Sequence, residues 1–209
     1  MQLIRVVMEM IKVKRCPWCS GSDLYIKYHD EEWGVPVFDD HTLFEFLVLE
    51  SAQAGLSWLT VLKRRENYRK AYDNFNPDKV ASYDDKKVEE LVSNPGIIRH
   101  KGKIEASINN AKYFIEIQRE YDSFSDYLWE FVDYKPIVNQ FTDLTEVPGK
   151  TSLSKKISKD LKKRGFKFVG PTIVYAYLQA VGIVNDHLTS CFRYDEIIEN
   201  YSQFSKLNN

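Results

Sequence analysis

A glutamate within an apolar helical stripe is the first residue of this sequence whose position suggests chemistry. The apolar residues of the stretch 43–48 fill one arc of a predicted helix, and Glu50, seven residues after Leu43, points almost the same way. A carboxylate in such a stripe is unfavourable unless another group answers its charge. Trp58 follows eight residues later, across a tight turn. The sequence therefore allows either a structural ion pair with an Arg or Lys of the core, or a binding site built around Glu50.

Two pairs of cysteine and histidine could bind a metal ion. His187 and Cys191 are four residues apart, so they would share one face if this segment were helical, and they make a workable zinc pair. Cys16 and His29 could supply the other two ligands and complete a closed, structural tetrahedral site. A single His-x3-Cys is more often coincidence than metal. Cys19 offers a competing pair with Cys16, so one cysteine is in surplus.

The segment 155–170 suggests contact with phosphate. It holds seven basic residues against one acid, Asp160, and its hairpin runs from Gly165 to Gly170 before Thr172 in the next predicted helix. Backbone N–H groups in such a turn and at a helix start suit a phosphate and need no sequence information. The alternative is a solvated basic helix that ends in a glycine cap. The hairpin between two apolar-faced helices favours non-specific binding of DNA.

These residues lie in a chain whose apolar period is helical from Asp39 onward, so we predict an all-α fold. Ser57 is the expected cap of the second helix. The segment 15–38 is expected to be irregular because of its Pro and Gly residues, and we find no strand ladder. The predicted helices cover residues 43–53, 58–75, 77 onward, 88–92, 103–121, 125–134, 153–164 and 171–181, with a loop over 135–151.

Composition limits the class of protein but does not name a partner. The 209 residues carry a net charge of -1, so binding to nucleic acid must come from local clusters of charge. Three cysteines do not suggest a secreted disulfide scaffold. No apolar run is long enough to span a membrane, and residues 1–14 lack the features of a signal peptide. We therefore expect a cytoplasmic protein with a dispensable N-terminal extension over residues 1–14.

Several long motifs, in the right order, closely resemble the 3-methyladenine DNA glycosylase I family. That family is a divergent member of the helix-hairpin-helix DNA glycosylases, and the resemblance runs from about Arg15 to Cys191. The motifs are Cys16-Pro17-Trp18, YIKYHDEEWG (25–34), LESAQAGLSW (49–58), GFKFVG (165–170) and Asn185-Asp186-His187.

The resemblance implies a fold and a metal site. It implies one glycosylase domain over residues 15–194, with the helix-hairpin-helix unit at about 153–182 and a tail over 195–209. It also implies one structural zinc that ties the N- and C-terminal segments together. Carried over to this sequence, the zinc ligands are Cys16, His29, His187 and Cys191, which leaves Cys19 as the surplus thiol.

The resemblance also implies a reaction: a monofunctional enzyme that excises 3-methyladenine from alkylated double-stranded DNA and leaves an abasic site. The resemblance implies that this family places Glu50 in the base pocket and does not use the catalytic Asp of the wider superfamily, which would be Asp186 here. We therefore choose Glu50 as the catalytic residue and keep Asp186 as the fallback. Trp58 is the main stacking candidate, Tyr28 a polar contact, and Trp18, Trp33 and Tyr25 further walls. For contact with DNA we predict the turn residues Gln53, Gly55 and Leu56, and the hairpin residues Gly165, Lys167, Gly170 and Thr172.

Two other classes of protein remain to be distinguished. A zinc-stabilised DNA-binding module without catalysis would share the basic hairpin and the metal site but release no base. A catalytic-zinc hydrolase needs an open metal position, whereas two Cys and two His leave none. We expect a monomer.

Overall fold

The computed structural model describes residues 13–204, with side chains described as far as residue 201. Within that range most residues lie in helices, which confirms the all-α prediction. The α-helices are α1 (Asp23–Glu31), α2 (Asp40–Gln53), α3 (Trp58–Leu62), α4 (Arg65–Ala71), α5 (Pro77–Ala81), α6 (Asp85–Ser93), α7 (Lys101–Tyr121), α8 (Phe124–Glu130), α9 (Ser152–Arg164), α10 (Pro171–Ala180) and α11 (Phe192–Phe204). Short 3-10 turns cover Pro17–Cys19, Asp73–Phe75 and Leu144–Glu146.

Helix α2 lies at the centre of the core. Asp39 caps its start by accepting a hydrogen bond from the backbone N–H of Thr42 (2.8 Å). Every residue from 43 to 52 is buried, including Glu45 and Glu50. The neighbours of α2 include α7, α8 and α10. Because other elements surround the helix, a charged group on it must be paired within the core or must face an internal cavity.

The segment 15–38 is not the irregular loop that we predicted, because residues 23–31 form helix α1. Gly21 and Gly34 adopt positive φ angles on either side of this helix, and so they bound it and do not interrupt it. Tyr28 and His29 of α1 are buried. Neither residue type has a strong preference for helices, so contacts with the rest of the fold stabilise α1, and a local pattern could not have shown it.

The helix that we predicted over 58–75 is divided into α3 and α4. Ser57 caps α3 as predicted, accepting from the backbone N–H of Thr60 (3.3 Å). At the break Arg64 has a ψ of -1°, and its Nη1 donates to the carbonyl of Thr60 (2.9 Å). Helix α4 ends at Ala71, and residues 73–75 adopt positive φ angles, so the predicted helix does not continue to Phe75. The apolar period continues through the break, so it contains no signal of the interruption.

A two-residue parallel ladder joins β1 (Ile137–Val138) to β2 (Val184–Asn185). We predicted no strands, and a pair of this length has no alternation that a sequence pattern could reveal. Asn139 extends the connection by donating its backbone N–H to the carbonyl of Asn185 (3.1 Å). The ladder therefore fixes the loop 139–151 to the segment that carries Asp186 and His187.

Helices α9 and α10 form a helix-hairpin-helix unit with the turn between them. Gly165 ends α9 at a φ of +105°, and a Cβ there would meet the ring of Tyr113 at 2.4 Å, so any other residue would be strained and would displace that ring. Buried Asn110 of α7 accepts from the backbone N–H of Lys167 (2.8 Å) and donates to its carbonyl (2.9 Å). These two hydrogen bonds fix the hairpin to α7.

The predicted domain limits fall near the ends of the described range. Residues 1–12 of the predicted extension lie outside it. At the other end, α11 runs across position 194, and Ile197 is buried. Between residues 13 and 204, no helix has both the length and the apolar character needed to cross a membrane.

Candidate functional site

A cavity of about 360 Å³ opens at the C-terminal half of α2. Its volume falls in the range of ordinary small-molecule sites. Glu50 and all five aromatic residues that we predicted for the base pocket line it. The full lining is Trp18, Tyr25, Tyr28, Trp33, Glu50, Gln53, Trp58, Leu144, Val147, Ala176, Gln179 and Asp186.

Glu50 is the ionisable residue of this cavity for which the described part of the chain offers no partner. Its side chain is 4% exposed, and no hydrogen bond or ion pair joins it to another residue within 13–204. Burial raises the pKa of Glu50 to about 8, because the ionised form loses its hydration. The ion pair that we considered for Glu50 belongs to Glu45 of the same helix, which binds Arg65 (2.5 Å) and Arg69 (2.9 Å).

The aromatic rings form a continuous wall beside this carboxyl group. The ring of Trp18 contacts those of Tyr25 and Trp33 edge to face, with centroids 4.9 Å apart in both pairs. Tyr28 joins that group to Trp58, at 5.4 Å. Burial, and after it the charge of Glu50, raises the pKa of the Tyr28 hydroxyl, which therefore stays protonated and can donate a hydrogen bond. The wall offers apolar ring faces to a flat ligand, and the hydroxyl of Tyr28 offers a polar contact.

Asp186 lines the same cavity but is fully hydrogen-bonded. Its carboxylate accepts from Asn139 Nδ2 (2.6 Å), from Gln179 Nε2 (2.8 Å) and from the hydroxyl of Tyr175. These bonds fix its orientation and satisfy its charge. Asp186 and Glu50 are therefore two acids of different kinds, and the unsatisfied one is Glu50.

Four buried side chains of the predicted metal set come together on the other side of Trp33. Their ligand atoms all lie within 4.8 Å of one another. Sγ of Cys191 is 3.4 Å from Nε2 of His29 and 3.6 Å from Nδ1 of His187, and Sγ of Cys16 is 3.6 Å from that same Nδ1. In a tetrahedral zinc site, bonds of 2.3 Å to sulfur and 2.0 Å to nitrogen give S···N edges of about 3.5 Å. The donor set and its spacing therefore fit one metal ion.

The second nitrogen of each histidine has a partner that orients the ring. Nδ1 of His29 lies 2.7 Å from Asp30, whose carboxylate also binds Arg15 (2.7 Å). Nε2 of His187 lies 2.9 Å from the carbonyl of Trp33. Such partners are usual around metal-binding histidines. Cys19 is not in the cluster, and its thiol donates to the carbonyl of Cys16 (3.1 Å), as expected for the surplus cysteine.

The family model for methyladenine glycosylases matches residues 18–194, which span both the cavity and the metal cluster. The chain belongs to the methyladenine glycosylase family. DNA-3-methyladenine glycosylase 1 of Escherichia coli (strain K12) is 53% identical over 182 residues, which cover 87% of this chain and 97% of the relative. The DNA-3-methyladenine glycosylase of Haemophilus influenzae (strain ATCC 51907 / DSM 11121 / KW20 / Rd) is 50% identical over 177 residues, 85% of this chain and 96% of the relative.

Solved structures extend this likeness to the fold. A crystal structure of a single-residue variant of 3-methyladenine DNA glycosylase I, in complex with 3-methyladenine, has a TM-score of 0.84 to this chain. The two are 38% identical, and the match covers 86% of this chain and 97% of that one.

In this methyladenine glycosylase the turn residues that we predicted to contact DNA, Gln53, Gly55 and Leu56, lie at the end of α2 and in the turn after it. Gly55 has a φ of +83° and Leu56 is 40% exposed, so the turn presents an apolar side chain to solvent. Gln53 donates to the carbonyl of Leu56 (3.1 Å) and also lines the cavity. The turn therefore connects the cavity to the outer surface.

The four predicted hairpin residues lie in the helix-hairpin-helix unit. Lys167 and Thr172 are exposed, Gly165 ends α9, and Gly170 precedes the first turn of α10. They are not part of the cavity, and the structure places them on a separate surface that joins α2 through Ser51, whose hydroxyl donates to the carbonyl of Phe168 (3.4 Å).

Four residues of the cavity were not predicted. Ala176 and Gln179 are three apart on α10, so they share a face, but nothing in their types marks them as part of a site. Leu144 and Val147 belong to the loop after β1, which has no helical or strand period. Only the tertiary fold brings that loop over the cavity.

Proposed function

We propose that this protein is a monofunctional DNA glycosylase that flips 3-methyladenine out of alkylated double-stranded DNA. It hydrolyses the N-glycosidic bond and leaves an abasic site. The observation that carries this proposal is the unpaired, buried carboxyl group of Glu50 within an aromatic cavity. The names of the relatives, and the related structure that holds 3-methyladenine, support the choice of base.

Glu50 reads the charge of the damaged base. Methylation at N3 makes the adenine cationic, and so it leaves more easily than a normal base. Ionised Glu50 is disfavoured in the empty cavity because nothing there answers its charge. A cationic base with exocyclic N–H groups supplies both a charge and hydrogen-bond donors. Neutral adenine lacks the charge and gains less from the same contact.

The aromatic wall holds the base in place. Trp58 stacks on it, and a cationic ring over an indole face gains about 0.5–2 kcal/mol, depending on desolvation. Tyr28 provides the polar contact, while Trp18, Trp33 and Tyr25 complete the walls. A lesion that stacks and pairs poorly in the duplex is also easier to flip out than a normal base.

The turn and the hairpin bind the rest of the DNA. Leu56, with Gln53 and Gly55 beside it, enters the gap that the flipped nucleotide leaves. Lys167 and Thr172, with the backbone at Gly165 and Gly170, contact phosphates without regard to sequence. These contacts account for binding to duplex DNA by a protein whose net charge is only -1.

The metal of the cluster is zinc. Two thiolates and two imidazoles are ligands that zinc prefers, and four protein ligands leave no open position for catalysis. Cys16, His29, His187 and Cys191 would hold it, and bound zinc supplies structural cross-linking. It would join the N-terminal segment to the start of α11 and so hold α1, with its aromatic residues, against the cavity.

The test is the release of bases from alkylated DNA. Purified protein is incubated with duplex DNA that carries a radiolabelled methyl group, and the released bases are separated by chromatography. We expect labelled 3-methyladenine from the wild type and almost none from Glu50→Gln. Binding to the methylated duplex without release of any base would contradict the proposal, and would favour a non-catalytic, zinc-stabilised DNA-binding module.

A further inference from the structure

Phe168, at the tip of the hairpin, combines two properties that folding does not explain. Its φ of +55° lies in the left-handed region, which bulky residues rarely occupy, and its side chain is 39% exposed. Phe75 has a similar φ of +57° but is fully buried, so burial of its ring offsets the strain. Exposed Phe168 gains much less. Strain of this kind persists where surrounding contacts enforce it, and it is concentrated at functional sites.

Buried neighbours hold Phe168 in this conformation. The hydroxyl of Ser51, on α2, donates to its carbonyl, and Asn110 fixes the backbone of the preceding Lys167. The Phe168 ring contacts the ring of His100 edge to face, with centroids 6.2 Å apart. The fold thus presents this aromatic side chain to the surface in a fixed position.

The surface beside Phe168 is basic. Arg99 and Lys101 are exposed on either side of His100, which caps α7 by accepting from the backbone N–H of Lys103 (3.2 Å). The carboxylate nearest to this pair is Glu105, 3.7 Å from the amine of Lys101. Positive charge around an exposed aromatic ring complements a nucleic acid, which offers phosphates and flat bases.

This basic patch is continuous with the turn that carries Leu56. The amine of Lys103 donates to the carbonyls of Ala52 (2.8 Å) and Ala54 (2.6 Å), just before that turn. The start of α7 is therefore fixed to the end of α2 on one side and contacts Phe168 on the other. Leu56 and Phe168 are therefore two exposed apolar side chains on adjoining supports.

We propose that Phe168 packs its ring against the base pairs next to the damaged nucleotide, and that Arg99 and Lys101 bind the phosphates beside it. This inference rests on the proposed function, because it assigns a second duplex contact to the same enzyme. Apolar side chains that enter a base step partly unstack and bend DNA, which brings more of the duplex onto the protein. The strained backbone at Phe168 places the ring for this contact before DNA arrives.

The variant that tests this is Phe168→Gly, because glycine adopts positive φ without strain and removes the ring. Tyr134→Gly is the matched control. Tyr134 also has a φ of +55° and is 45% exposed, but its hydroxyl donates to the carboxylate of Asp126 (3.2 Å) on α8, which packs near the C-terminal end of α7. The 21 residues of α7 separate that end from His100 by about 30 Å.

Three quantities are measured on the wild type and both variants: binding to a duplex that contains an abasic-site analogue, binding of free 3-methyladenine, and the melting temperature. We expect Phe168→Gly to bind the duplex about 5- to 100-fold more weakly. It should bind the free base normally and melt no lower than the wild type. Tyr134→Gly should bind the duplex normally. Arg99→Ala should lower the salt dependence of duplex binding by about one phosphate contact.

Normal duplex binding by Phe168→Gly would overturn the inference, and so would equal losses of duplex and free-base binding, which would indicate general damage to the fold. The proposed function fails by a different result, which is a wild-type protein that releases no 3-methyladenine. The two failures are therefore distinguishable in one set of preparations.

Discussion

Helix α2 carries two buried carboxyl groups, and its two halves treat them differently. Glu45 is 5% exposed and Glu50 is 4% exposed, so burial does not distinguish them. Glu45 binds Arg65 and Arg69, whereas Glu50 has no such partner among the described residues and faces a cavity. The two acids differ in the presence of a partner and not in the depth of burial, and for this reason we propose a structural role for Glu45 and a ligand-binding role for Glu50.

The ion pairs of Glu45 also help to position the cavity around Glu50. Arg65 binds Glu32 (2.5 Å), just after α1, and its guanidinium lies 5.0 Å from the ring centroid of Phe46. It therefore joins α2 to α1, and α1 carries Tyr28 of the cavity wall and His29 of the metal cluster. The metal cluster includes His29 and so contacts the same helix. Groups that are fully paired thus position a carboxyl group that has no partner among the described residues.

The largest effect on stability should come from removing the metal that the four Cys and His residues of the cluster would bind. We expect one zinc per chain, and chelation should lower the free energy of unfolding by about 5 kcal/mol or more, because a structural zinc contributes directly to folding. Metal analysis and urea unfolding check this. Cys16→Ser should lose the metal while Cys19→Ser keeps it. Metal-free protein of unchanged stability would show that the fold does not depend on this cluster. Loss of metal in Cys19→Ser alone would show that the cluster is not the metal site.

Breaking the ion pair of Glu45 should have the next largest effect. Glu45→Gln leaves buried Arg65 with the partly exposed Glu32 as its remaining acid, so the cost should be at most the roughly 3–5 kcal/mol of a buried pair that loses its one partner. The urea midpoint at neutral pH measures it. Glu66→Gln is the control, since Glu66 binds Arg69 at the surface and is 72% exposed, and it should unfold almost like the wild type. Equal midpoints for the two variants would remove the contrast between the halves of α2.

The pH dependence of stability should reveal Glu50 in the free enzyme. Its pKa is about 8 in the folded protein and near 4.5 when unfolded, so the folded state holds the proton more tightly. Its contribution to stability is therefore complete below pH 4.5 and is lost as pH rises through 8. Glu50→Gln should become more stable relative to the wild type over this range, by about 1–4 kcal/mol. A difference that does not change with pH would mean that Glu50 is already paired.

The smallest effect should come from Lys167, whose charge lies on the hairpin and outside α2. Lys167→Ala should weaken duplex binding severalfold for any sequence and lower the salt slope by about one contact, as expected for a phosphate contact. Fluorescence anisotropy at several salt concentrations measures this, with Lys86→Ala on α6 as the control. A loss confined to binding of the free base would instead assign Lys167 to the cavity.

The sequence predicted the residues of the cavity and of the metal cluster better than the elements that hold them in place. The helical period alone predicts that Glu50 points into the core, and the metal ligands follow from their types together with the motifs. The period does not predict which acid of α2 is paired, because Arg65 reaches Glu45 across 20 positions of the chain. Helix α1 and the loop with Leu144 were missed for the same reason, since tertiary contacts alone determine them.

The most direct measurement is made on Glu50→Gln, with base release and the urea unfolding midpoint determined on the same preparation. Gln keeps the shape of the side chain, loses the charge and places a donor where the base also donates. We expect release of 3-methyladenine to fall at least about 100-fold. Binding to undamaged duplex should persist, and the protein should unfold at the same urea concentration as the wild type or a higher one. Intact base release would contradict the central role of Glu50, and so would a loss of stability large enough to explain the lost activity.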